Sequence, residues 1–187
     1  MDQVIAEWAG KERVFQLGFG GVLDLEEACG KEAIGAIFLR LSTGKFRVHD
    51  VYHTIRLALI GGGENLLEVK RLLNTHFDRI PLMENAALAG DILIALMTGV
   101  EASEDSASGD RNQEPAPWKF SEVSQICRTF HLSPADLRAM RYADLINMVR
   151  GFNAASGERK AEPPTEEEFI AILEKYEPEA LSRDSDH

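Results

Sequence analysis

Apolar and polar residues change their period several times along this 187-residue chain, and each change marks an element. Near the start, Val4, Ala6 and Trp8 alternate with Ile5 and Glu7. Val14, Phe15 and Leu17 follow beyond Ala9-Gly10. Two β-favouring runs around a Gly-containing turn predict a hairpin. Phe19-Gly20-Gly21 breaks that pattern, and from Val22 the period becomes helical. Leu25, Ala28 and Cys29 stand at i, i+3 and i+4, which places Asp24, Glu26 and Glu27 outward. Gly30 is read as the C-cap. Ile34, Ile37, Phe38 and Leu41 predict a second helix ending at Ser42-Thr43-Gly44. Val48, Val51, Tyr52, Ile55 and Leu59 predict a third, stopped by Gly61-Gly62-Gly63. A fourth is expected over about Leu66–Phe77. The fifth has Pro81 in its first turn, runs to Met97 and ends at Gly99. It is apolar almost all round, which places it in the middle of a small bundle.

The pattern then lapses. Residues 101–117 hold Ala as their only apolar type, too little to offset the entropy of ordering, and read as an acidic linker. Beyond it, Ser121 is placed as N-cap of a helix with Val123, Ile126, Cys127 and Phe130 on its apolar face. Ser133-Pro134-Ala135-Asp136 is a compact start signal, with Ser at N-cap, Pro at N1 and an acid at N3. Leu137 and Met140 face inward on that helix. Leu145, Ile146, Val149 and Phe152 belong to the next. A second linker follows over Ala154–Pro164. Thr165-Glu166-Glu167-Glu168 then caps a short one-sided helix carrying Phe169, Ile172, Leu173 and Tyr176. At about 11 residues it is too short to stand alone in water, so these four residues are candidate contacts to the protein or a partner.

The fold class expected is therefore α+β. An N-terminal hairpin with a bundle of about five helices occupies 1–100. The linker 101–117 separates it from a small all-α module of about three helices at 118–153. A flexible acidic tail with one amphipathic helix fills 154–187. Composition changes this picture little until charge is divided by segment. The whole chain carries −11, with 31 acidic and 20 basic side chains. Segment 1–100 carries −3, the linker −4, residues 118–160 carry +3 and the rest −7. The acidity therefore lies in the connectors, and the two folded modules nearly cancel. Bulk acidity still argues against a general nucleic-acid coat, which needs a basic face. No apolar run reaches the ~18 residues of a membrane span, and the N-terminus lacks the pattern of a signal peptide. Cys29 and Cys127 form no CxxC pair, which suits a reducing cytosol.

Candidate chemistry is sparse. His49 and His53 stand at i and i+4, the spacing of a helical zinc site, but Asp50 replaces the Glu of the metalloprotease pattern. Gly18-Phe19-Gly20-Gly21 lies between strand and helix without the further glycines or Lys-Ser/Thr pair of a phosphate loop, and reads as a turn requiring positive φ. Neither cysteine has a local His partner. No catalytic residue, metal site or cofactor is expected.

Two stretches carry a family resemblance. Trp118, a helix, and then Phe130-His131-Leu132-Ser133-Pro134-Ala135-Asp136-Leu137-Arg138-Ala139-Met140-Arg141-Tyr142-Ala143-Asp144-Leu145 resemble the C-terminal module of phage tail assembly chaperones. Leu137-Arg138 stand where that module often has an aromatic pair, and Asp144 replaces a Glu. Independently, Gly10 to Gly20 leading into Leu25-Glu26-Glu27-Ala28-Cys29-Gly30 resembles the gene transfer agent tail protein family of tailed phages and prophages. So do Ile55–Gly63 and Ala86–Gly99. The resemblance implies a non-enzymatic tail assembly chaperone of the host cytoplasm, binding tape measure protein, recruiting tail tube protein, and able to self-associate. Trp118, Phe120, Phe130, Leu137 and Met140 are candidate contact residues, or equally that module's own core. One alternative is a structural tail tube or connector component. A second is a helix-turn-helix regulator, because Val123–Phe130, a turn and Ser133–Met140 have its proportions.

Overall fold

The computed structural model describes residues 3–101 and 116–157. The described residues as far as Met148 form one compact unit; those from Val149 are grouped separately. The fold class is α+β, with a two-stranded antiparallel hairpin followed by eight α-helices among the described residues. Strand β1 (Gln3–Trp8) pairs with β2 (Lys11–Gln16), Trp8 opposite Lys11 and Gln3 opposite Gln16. Only Ala9 and Gly10 lie between, both with positive φ (54° and 75°), the twist that matches two right-handed strands. Helices α1 (Phe19–Ala28), α2 (Ile34–Ser42), α3 (Val48–Gly61), α4 (Leu66–His76) and α5 (Leu82–Met97) follow. A 3₁₀ turn, Phe77–Arg79, precedes α5. Helices α6 (Phe120–Phe130), α7 (Pro134–Ala139) and α8 (Tyr142–Gly157) complete the chain described.

Trp8, Phe15, Leu25, Ile37, Ile55, Leu59, Leu73 and Leu93 belong to one core beneath the hairpin. Its buried polar side chains Arg13, Asp50, Thr54 and Asn85 are hydrogen-bonded. Trp8 Nε1 donates to Asn85 Oδ1 at 2.9 Å, and Asn85 Nδ2 donates to the Phe77 carbonyl at 3.0 Å. Buried Arg13 donates to the Trp8 carbonyl and pairs with Glu64. Asp50, fully buried, accepts two bonds from Arg40 at 2.9 Å and one from the Arg47 N–H at 3.0 Å, fixing the start of α3 against α2.

Several sequence expectations need correction. Helix α1 starts at Phe19 rather than Val22, because the Phe19 N–H finds its acceptor in the Met140 carbonyl (2.9 Å), far outside any local capping signal. Gly18 has φ −87°, and no positive φ occurs in Gly18–Gly21, so the turn needs glycine for close approach and not for a left-handed backbone. Glu26, placed outward by periodicity, is buried. Pro81 is the N-cap of α5, not a first-turn residue, and Lys119 rather than Ser121 caps α6. Helix α5 packs on α2, α3 and the hairpin, but it is not covered all round. One face, with Ala86, Ala89, Ile92, Leu93 and Leu96, enters the core, while Met83 and Ile94 remain exposed. The triple glycine is more than a stop. A Cβ on Gly61 or Gly62 would stand 2.1 Å from the Gln16 carbonyl oxygen or 1.9 Å from that of Val14, so α3 ends directly against β2.

Candidate docking groove

The first turn of α1 and the buried carboxylate of its last turn create the site. Glu26 is 3% exposed and its two oxygens face two different segments. Oε1 accepts the Ile34 N–H at 2.8 Å, at the start of α2. Oε2 accepts the Trp118 N–H at 2.8 Å, at the entry to α6. Burial pushes the Glu26 carboxyl above its usual range, and these two main-chain donors offset that only in part. Trp118, half-buried, sets its ring edge-on to Phe19, with centroids 5.2 Å apart and planes at 84°. Such pairs add to the gain from area buried alone.

Helix α7 closes the arrangement from the other side. A Cβ on Gly20 would meet the Arg138 carbonyl oxygen at 2.9 Å, so only glycine lets α7 come this close. Arg138 also donates to both oxygens of Asp24, at 2.7 and 2.8 Å. Both side chains are nearly half exposed, and such a pair stabilises by about 0–1 kcal/mol. Asn147 of α8 donates to the Gly99 carbonyl and accepts the Glu101 N–H. Leu23, Glu27, Pro117, Trp118, Val123 and Pro134 line a mainly apolar groove of about 590 Å³ between α1 and these helices. Phe120 stands at this groove, 87% exposed.

The expected contact residues separate in this setting. Phe120 is open to solvent, and Trp118 forms groove wall and core contact at once. Phe130 and Met140 are half-buried, and Leu137 is fully buried. Phe169, Ile172, Leu173 and Tyr176 lie outside the described residues. Helix α7 has six residues, buries Leu137 and commits Arg138 to Asp24, so it lies against α1 where a recognition helix would need a free face. Sequence reasoning missed Glu26 and Phe19. The available signal was the Gly18–Gly21 run, whose glycines permit the Arg138–Met140 backbone to approach.

The other candidates, His49, His53 and Cys29, lie around the start of α3, where the Cys29 Sγ stands 4.0 Å from the His49 carbonyl oxygen. The His49 and His53 rings stack with centroids 6.0 Å apart, and His53 abuts Tyr52. Burial, with Arg56 and His49 nearby, lowers the His53 pKa. Among the described residues no group of three potential metal ligands comes together. Cys29 is buried, and burial with Asp50 close by pushes its thiol up to about 12. Among the described residues no helix is long and apolar enough to cross a membrane.

A family model described as phage tail tube protein, GTA-gp10, matches residues 2–99. No curated protein and no solved structure matches the chain.

Proposed function

Because the chain belongs to the phage tail tube protein, GTA-gp10 family, we propose that it is a structural component of a phage or gene transfer agent tail, built into the tube or its junctions. The match over residues 2–99 carries this reading, since it takes in the hairpin and α1–α5. In this reading the work is done by protein–protein contact and not by catalysis. The buried Cys29 thiol, with its raised pKa, is a poor nucleophile. Its partners would be other tail proteins, met in the host cytoplasm during assembly.

One observation favours a second reading, a tail assembly chaperone. The groove beside Trp118 and the exposed Phe120 have the form that accepts the apolar face of a helix, as a tape measure protein would offer. The two readings separate on a single preparation. Finished particles and unassembled cell extract are fractionated from cells expressing a tagged chain, and each is quantified by mass spectrometry. A structural component is recovered in finished tails in constant ratio to the other tail proteins. Recovery only in the extract, together with tape measure protein, overturns the structural reading in favour of the chaperone.

A further inference from the structure

Among the described residues, the hairpin has one covered edge and one open edge. Trp8 and Lys11 close the two-residue turn as a hydrogen-bonded pair, so the main-chain groups of Val4 and Ala6 alternate toward and away from β2 in a fixed order. Ala6 and Val4 bond to β2, while the N–H and C=O groups of Gln3, Ile5 and Glu7 point away from it. The same alternation sends the Val14 and Gln16 carbonyls outward from β2, and the close approach of Gly61 and Gly62 covers them. Among the described residues, nothing comparable covers β1. Among the described residues, no hydrogen bond reaches the outward main-chain groups of Gln3, Ile5 or Glu7. The strand Gln-Val-Ile-Ala-Glu-Trp also lacks the usual protection of an edge: it has no Pro, no Lys and no bulge.

We propose that β1 pairs with β1 of a second copy of this chain, antiparallel about a twofold axis perpendicular to the sheet, with Ile5 opposite its own equivalent. The product is a four-stranded sheet in the order β2–β1–β1–β2. The occupant follows from the self-complementarity of the edge. Centred on Ile5, all three outward residues find partners, Ile5 with Ile5 and Gln3 with Glu7 in both directions. That supplies about six main-chain hydrogen bonds at one bonded pair per two residues. No like charges face each other across the seam. A shift centred on Glu7 would oppose two carboxylates and lose most of the pairs, and like charges directly opposite are unfavourable. Side chains agree with this register. Ile5 is 56% exposed and lies beside its hairpin partner Val14, so the dimer joins Val14, Ile5, Ile5 and Val14 in one aliphatic stripe. Val4, Ala6 and Trp8 keep facing the core on the other side.

The proposal is independent of whether the chain is a tube component or a chaperone. It is tested on the full chain by sedimentation equilibrium, with Ile5→Lys and Ile5→Pro as variants. Lys places two cations opposite each other across the axis. Pro removes an outward N–H, which the β1–β2 ladder does not use, and fixes its own φ. The wild type is expected to be a dimer, or a multiple of one, at micromolar concentrations. Each folded variant should raise the dimer dissociation constant roughly tenfold or more. Far-UV circular dichroism identifies a variant that fails to fold, and the other then decides. A monomeric wild type, or a folded variant that associates as the wild type does, overturns the proposal.

Discussion

Replacing Glu26 by Gln turns one oxygen of a buried carboxylate into an NH₂ group. The carboxylate accepts two main-chain donors, Ile34 N–H and Trp118 N–H, both at 2.8 Å. An amide has one acceptor oxygen, so whichever way it turns, one N–H then faces another donor. A hydrogen bond to a charged group contributes about 1.5–3 kcal/mol, and a buried donor left unpaired costs about 1–3 kcal/mol. Against this, the variant no longer buries a charge, and burial is what holds the Glu26 pKa above its ordinary value. The net loss expected at pH 7 is therefore about 2 kcal/mol, or a fall of about 4–8 °C in Tm for a unit of this size. Urea unfolding and calorimetry on the full chain measure it. Amide hydrogen exchange locates it, rising in residues 118–145 before the hairpin. The pH dependence has a definite sign. A carboxyl with a raised folded pKa holds a proton that the unfolded chain has released. The proton-linked part of its contribution is full below the unfolded value of 4.5 and is lost as pH rises through the folded value. The stability gap between wild type and Glu26→Gln should thus narrow as pH climbs above 4.5, then level. A variant within about 0.5 kcal/mol of wild type at pH 7, well inside the loss expected from the hydrogen bonds, would refute the reasoning, as would a gap that widens with pH.

Gly62→Ala brings a Cβ to 1.9 Å from the Val14 carbonyl oxygen, backbone against backbone, and should cost about 3 kcal/mol or more. Gly90→Ala, on α5 with open space around the added carbon, should instead gain about 0.5–1 kcal/mol; urea midpoints moving in opposite directions check both. Asp50→Ala strips Arg40 of a bidentate buried partner and should cost about 3–5 kcal/mol. Burial raises the Asp50 pKa, but the Arg40 bonds and the Arg47 N–H outweigh it and hold the pKa below 3.8, so its contribution is full above that value and disappears as pH falls through the folded one. Acid unfolding followed by circular dichroism should show the Asp50→Ala deficit shrinking below pH 3.8. Phe120→Ser removes an exposed ring and should leave stability within about 0.5 kcal/mol. If the groove binds a tail partner, the same change should lower incorporation of the tagged chain into tails at least about tenfold, the scale of a lost aromatic anchor; unchanged incorporation would remove the groove from the interface.

The ends of helices α1, α2 and α3 were legible because each helix buries one stripe and stops at a strong signal. Gly30, Gly44 and Gly63 all take the positive φ that such stops require. The hairpin was legible for the same reason, since Ala9-Gly10 separates two short β-favouring runs. Periodicity failed where a residue answers to a distant part of the chain. It assigned Glu26 to solvent because Leu25, Ala28 and Cys29 define the buried stripe, yet the partner that draws its carboxylate inward is 92 positions away. It expected α5 to be covered all round because composition counts apolar residues without knowing which neighbours exist to cover them. The glycine runs mark the limit most clearly. Gly18–Gly21 and Gly61–Gly63 invite comparison with phosphate loops or simple helix stops, but both are places where one backbone lies against another. Gly20 receives the Arg138 carbonyl, and Gly61 and Gly62 receive those of Gln16 and Val14. One consequence reaches beyond the family match. That match ends at residue 99, while the α1 N-terminus and the Glu26 carboxylate, both inside it, are completed by Met140 and Trp118 outside it. The helices after residue 116 are thus part of the structure that satisfies the buried polar groups of the matched region. Any partner seated in the groove beside Trp118 would contact both.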